Sequence, residues 1–153
     1  MKQALLPSIK KMIHQASMKG RPIKWEIYED SIIVIPDGCF LLVVESDQTW
    51  IDFLSDYSYP SPGFFNSICN YTKHFGIAEE CDIRSFIKKG RYWIHAADNG
   101  VRFDNTYMQY FMKQPDIIFD LVYFPNKHYM LVAYEYLEDE HDYQKVGFIM
   151  GVN

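Results

Sequence analysis

The residues able to do chemistry in this sequence are few and scattered. Cys69 and His74 lie near each other and could pair a thiol nucleophile with a general base. Cys69, however, falls on the apolar face of a predicted helix, where a core thiol is the expected role. Cys39 is expected in a buried strand. Glu138-Asp139-Glu140-His141-Asp142 gathers oxygen ligands that suit a hard cation. It lacks the alternation and the glycine of an EF-hand loop, so a solvated hairpin tip is the expectation. His14, His74, His95, His128 and His141 are widely spaced and form no HExxH pair. Cys39, Cys69 and Cys81 include no CxxC, which argues against a zinc knuckle or a redox pair. No glycine-rich phosphate loop occurs, because Asp37-Gly38 and Asn99-Gly100 read as turns. The expectation is a chain without catalytic residues, metal or cofactor. The remaining route to catalysis is a site assembled from scattered residues.

Charge is more informative. The formal net charge of -5 opposes binding of nucleic acid by the whole surface. Yet the first 25 residues hold Lys2, Lys10, Lys11, Lys19, Arg21 and Lys24, with no Asp or Glu. From Pro115 onward the bias reverses: Asp116, Asp120, Glu135, Glu138, Asp139, Glu140 and Asp142 stand against Lys127 and Lys145. A solvated face is the ordinary meaning of such a bias, and a polarised binding surface is the functional one.

These residues must be positioned by an ordered fold. A length of 153 residues fits one domain, and 48% hydrophobic with 17% aromatic residues supplies the apolar surface for one core. The opening Met1-Lys2-Gln3-Ala4-Leu5-Leu6-Pro7 is too short an apolar stretch for a signal peptide. No apolar run approaches the roughly 20 residues that span a bilayer. With three unpaired cysteines, this points to the cytoplasm, of a cell or of a phage-infected one.

Leu5, Leu6, Ile9, Met12, Ile13 and Ala16 recur at spacings of three and four. They predict an amphipathic helix with Lys10, Lys11 and Lys19 outside, ended by Gly20 and Pro22. Trp25 to Glu29 reads as a strand with Trp25 and Ile27 inward and Glu26 and Tyr28 outward. Ile32 to Val44 is a hairpin about Pro36-Asp37-Gly38. Thr49 to Leu54 reads as a short strand and Ser55 to Gly63 as a loop. Phe64 to Phe75 and Glu79 to Lys88 read as helices, the second closed by Gly90. Arg91 to Ala96 and Val101 to Asp104 are strands about an Asp98-Asn99-Gly100 turn. A helix follows, capped near Asn105 or Thr106 and ending before Pro115. Ile117 to Phe124, His128 to Leu137 and Gln144 to Val152 complete an α+β fold of antiparallel sheets and short helices.

Residues from Ser8 to Glu45 and from Val101 to Val152 thus share one order, a helix and then antiparallel strands. The chain resembles the DNA sliding clamps, polymerase processivity factors whose domains repeat a helix and a run of strands. Ser8-Ile9-Lys10-Lys11-Met12-Ile13-His14-Gln15-Ala16-Ser17 is similar to the first clamp helix. Ile35-Pro36-Asp37-Gly38-Cys39-Phe40-Leu41 resembles the clamp strand-turn-strand, with Ile35-Pro36 where Ala-Thr is usual. Val101-Arg102-Phe103-Asp104-Asn105-Thr106-Tyr107-Met108 is similar to the strand and helix that open the second half. Val146-Gly147-Phe148-Ile149-Met150-Gly151-Val152-Asn153 resembles the clamp tail, with Gly151 where bacterial tails carry Pro. The expected second helix offers only Lys113 as a cation.

The resemblance implies one clamp-like α+β domain over residues 1–153, of a single-domain phage type acting in DNA replication. It implies contact with DNA phosphates through Lys10, Lys11, Lys19, Arg21 and Lys24. It also implies a partner groove at Ile149, Met150 and Val152, for which a packed final strand is the alternative. The partners would be double-stranded DNA or a replication protein, with room for an oligomer, since one domain cannot encircle a duplex. The competing expectation is an acidic inhibitor or immunity-type protein. It would bind a basic protein through the acidic C-terminal third and the interface-forming aromatics.

Overall fold

The computed structural model describes residues 2–89, 92–97, 100–112 and 114–151. The chain forms two compact units, Met1–Asn70 and Tyr71–Asn153.

The first unit opens with helix α1 (Pro7–Met18), which starts at Pro7 because a first-turn proline sacrifices no hydrogen bond. Its periodic residues Ile9, Ile13 and Ala16 are buried, and the helix packs on strand β2. Strands β1 (Lys24–Tyr28), β2 (Ser31–Asp37) and β3 (Phe40–Glu45) form an antiparallel meander. The hairpin turns at Pro36-Asp37-Gly38 as expected. The register slips between Val34 and Asp37, where Pro36 has no N–H to give the ladder. Ile32, Ile33 and Val34 are all fully buried, so both faces of β2 are covered.

Two expectations fail here for stated reasons. Residues Thr49 to Leu54 are helical, within α2 (Gln48–Ser55), not extended. Asp47 caps the helix by accepting the Thr49 N–H at 2.7 Å, and Trp50 and Leu54, four residues apart, are its buried side chains. In β1 the expected alternation does not hold, because Glu26 is buried and Ile27 is exposed. The Glu26 carboxylate accepts two backbone N–H groups at the start of helix α3 (Phe64–Phe75): Gly63 at 2.6 Å and Phe65 at 2.9 Å. Beside it, the Trp25 indole donates to the Ser58 carbonyl at 3.1 Å and the Ser58 hydroxyl donates to the Ile23 carbonyl at 2.7 Å. The Ser61 N–H donates to the Trp25 carbonyl, so the loop before α3 covers the outer edge of β1.

In the second unit, α3 gives way to Gly76, a position held to glycine because a Cβ there would lie 2.5 Å from Val122 Cγ1 and 2.6 Å from the Thr72 carbonyl. The stretch from Glu79 to Lys88 is not a helix. It is divided between strands β4 (Ile77–Cys81) and β5 (Ile83–Lys89). Its acidic start and basic end matched a helix dipole, but pairing of all five β4 residues with a later strand outweighs so weak a local preference. Strands β6 (Tyr92–Ala97) and β7 (Arg102–Asp104) join β5 in a small antiparallel sheet. Helix α4 (Asn105–Met112) packs on β6 and β7, its start capped by Asp104, which accepts the Thr106 N–H at 2.8 Å. His95 is buried with its Nε2 2.8 Å from Asn105 Oδ1. Strands β8 (Ile117–Tyr123), β9 (Tyr129–Leu137) and β10 (Asp142–Met150) form a meander, with β4 on the far side of β8. The order of a helix followed by three antiparallel strands therefore occurs twice, as α1-β1-β2-β3 and α4-β8-β9-β10. Gly90, Arg91, Asp98, Asn99, Lys113 and Val152, to which the sequence assigned roles, lie outside the described residues.

Removing the Glu26 carboxylate leaves two backbone donors without acceptors, at about 1–3 kcal/mol each. Glu26→Ala is expected to lower unfolding stability by about 3 kcal/mol in urea titration, and Glu26→Gln, which keeps one acceptor, by about 1 kcal/mol.

Candidate functional site

The cations named from the sequence gather in the first unit. Ile9, Ile13 and Ala16 turn one side of α1 into the core, and this leaves Lys10 and Lys11 exposed on the other. Lys19 is the exposed C-cap of α1, its N–H held by the Gln15 and Ala16 carbonyls. Lys24 is exposed at the start of β1. Arg21 is exposed as well, but its guanidinium lies 3.7 Å from Asp37 at the turn of the β2–β3 hairpin. At such exposure the pair is screened and contributes little to stability.

Aromatic rings flank the basic helix, which the sequence reading did not anticipate. The Lys10 ammonium stands 5.7 Å from the centroid of Phe53. Phe53 is tilted against Tyr57 at 5.2 Å, and the Tyr57 hydroxyl lies 3.4 Å from His14 Nδ1. Placing Thr49 to Leu54 in a strand hid this arrangement. The Asp47 cap, with Phe53 and Tyr57 four residues apart, was the available signal. The result sets Lys10 beside Phe53 and His14 beside Tyr57, with Asp52 and Asp56 exposed in the same stretch of chain as the two rings. The lysines of α1 can neutralise anionic groups as point charges.

The tail residues are placed differently. Ile149 is buried in β10, paired with Leu131, and Met150 is half-buried opposite Met130. Ile149 is thus part of the packed final strand, and Val152 is outside the described residues.

The residues weighed for chemistry lie as follows. Among the described residues no group of three His, Cys, Asp or Glu side chains has the geometry to hold a metal ion. Cys69 is half-buried and His74 is exposed at the end of α3, where its ring packs edge-on to Phe75. Glu138, Asp139, Glu140 and Asp142 are exposed on the β9–β10 hairpin. Cys39, expected in a buried strand, is exposed in the β2–β3 turn. Partial desolvation of its thiol, and then the Asp37 carboxylate, push its pKa up, while Arg21 pulls the other way. A raised pKa leaves little thiolate near neutrality, the opposite of an activated nucleophile.

No helix among the described residues is long and apolar enough to cross a membrane. No protein-family model, curated protein or solved structure matches the chain.

The Cys39 environment makes a pH-dependent prediction. Less thiolate means slower alkylation near neutral pH than for a free cysteine, with the rate climbing in alkali. Asp37→Asn removes a cause of the raised pKa and should speed the reaction. Arg21→Ala removes the opposing cation and should slow it. Iodoacetamide rates at Cys39, followed by peptide mass mapping, measure both.

Proposed function

We propose that this chain is a non-catalytic binding domain whose first unit meets the phosphate backbone of double-stranded DNA, in the manner of a sliding-clamp domain and alongside replication proteins. The observation that carries the reading is the cation set Lys10, Lys11, Lys19, Arg21 and Lys24, all exposed, in a segment without a single acid. The remaining 128 residues hold nine Lys and Arg against all twenty Asp and Glu, so this segment is where an anion is attracted. Lysines on a helix contact phosphates without reading bases, which suits a protein that must tolerate any sequence. The repeated helix-and-three-strand order agrees with this assignment.

A second reading has its own observation. The exposed acids Glu138, Asp139, Glu140 and Asp142 on one hairpin favour an inhibitor-like contact with a cationic protein. Such a protein would ignore DNA.

Anisotropy of a labelled duplex, titrated across salt, separates the two. If each of the five cations neutralises one phosphate, log K should fall against log salt with a slope of about -4.5. Lys10→Glu with Lys11→Glu should weaken binding at least about tenfold and reduce the slope by about 2. Absence of binding at about 50 mM salt, or binding indifferent to the reversal, would sink the DNA reading.

A further inference from the structure

The strand β4 has an outer edge that the chain does not use. Strand β1 shows what a covered edge looks like, since Ser61 bonds back to Trp25 there. For β4 the backbone pairs with β8, and among the described residues no turn or loop bonds to the backbone of Ile77 through Glu80 on the other side. Ile77, Ala78, Glu79 and Glu80 are all exposed. Free edges in stable proteins are usually blunted by a bulge, a proline or charged side chains. β4 has no proline and no register shift, and its only charges are Glu79 and Glu80, which repel an acidic strand and attract a cationic one.

The two ends of this edge differ in chemistry. Its N-terminal end is apolar: Ile77 is 74% exposed, and Tyr71 and Phe75 at the end of α3 are each 51% exposed. The tyrosine ring rests on Phe75 at 4.9 Å and on Phe124 at 5.6 Å, which fixes the aromatic rim in place. The C-terminal end is acidic. Glu79 accepts the Tyr123 hydroxyl at 2.6 Å. Glu80 stands opposite Asp120 across the β4–β8 pair, a like-charge juxtaposition that destabilises a sheet. Among the described residues neither carboxylate of that pair has a cation within ion-pair distance. A cleft of about 410 Å³ opens beside Glu80, lined also by Asp82, Met112, Ile117 and Ile118.

We propose that the β4 edge docks an extended segment of a protein partner, apolar or aromatic at one end and bearing Lys or Arg at the other. Backbone hydrogen bonds to Ile77–Glu80 extend the sheet, as in other strand-addition complexes. The apolar residue covers Ile77 and the Tyr71–Phe75 rim. The cation enters the cleft and separates the facing carboxylates of Glu80 and Asp120. Charge selects this occupant over a second copy of the chain. Two β4 strands paired antiparallel about their centre would set Glu79 against Glu79, a repulsive contact. The site uses none of the residues of the basic face and stands or falls independently of the DNA reading.

The test is selection of a phage-displayed random peptide library on the whole protein. The selected peptide is then titrated into isotope-labelled protein and followed by amide shifts. The expected consensus joins an apolar or aromatic residue to a Lys or Arg a few positions away, with the largest shifts in Ile77–Glu80. Glu79→Lys with Glu80→Lys should weaken the peptide at least about tenfold. Ile77→Thr, an exposed change that strands tolerate, gives a second check should the double reversal fail to fold, and it too should weaken binding. An acidic or absent consensus, shifts away from β4, or affinity unchanged by both variants would overturn the proposal. So would a wild-type dimer lost on Ile77→Thr, which would make the occupant a second copy.

Discussion

A carboxylate taken out of water must find donors, and the first unit is arranged around the way Glu26 does so. Its two oxygens hold the Gly63 and Phe65 amides, the groups that an α-helix start leaves without partners. A negative charge there is also favoured by the dipole of α3. The contact joins β1 to a helix nearly forty residues later, and the loop between them follows. Ser58 and Ser61 bond to Ile23 and to both the side chain and the carbonyl of Trp25. Phe65, delivered by the same contact, packs edge-on against Tyr28 at 5.2 Å. One buried acid thereby ties the covering loop to the edge of β1.

Charge placement then divides the surfaces by chemistry. The segment that builds α1 contains no acid, and Phe53, tilted against Tyr57, lies beside Lys10. Acids are displayed in both units: after residue 25 in the first, at Glu29, Asp30, Glu45, Asp47, Asp52 and Asp56, and on the β9–β10 hairpin and along the edge of β4 in the second. The exposed thiol Cys39 has its pKa raised by partial desolvation and then by Asp37, against the pull of Arg21.

Much of the fold could be read from local pattern. The three-and-four spacing of α1 and α3, the Pro36-Asp37-Gly38 hairpin and the β8–β10 meander all appear where periodicity and turn chemistry put them. What could not be read depended on contacts distant in sequence. Glu26 alternates with Trp25 and Ile27 as a solvent-facing residue would, and nothing near it announces the helix end it serves. The stretch from Glu79 to Lys88 has a helix-like charge order, yet Ile77–Cys81 find their partner in Tyr123–Phe119. Of the candidate site, the exposed cations were legible because an acid-free run is a property of composition. The rings beside Lys10 were not, because they required α2 to be recognised as a helix. At the tail, Ile149 is packed in β10, as the final-strand reading of that stretch has it.

The central claim is that the first unit's cations hold a duplex by its phosphates. Light scattering on a sizing column, with and without short duplex DNA at low and at high salt, tests it most directly. The account predicts a protein–DNA complex at low salt whose mass returns to that of the free components as salt rises. An eluting protein whose mass is the same with and without DNA at low salt would contradict it.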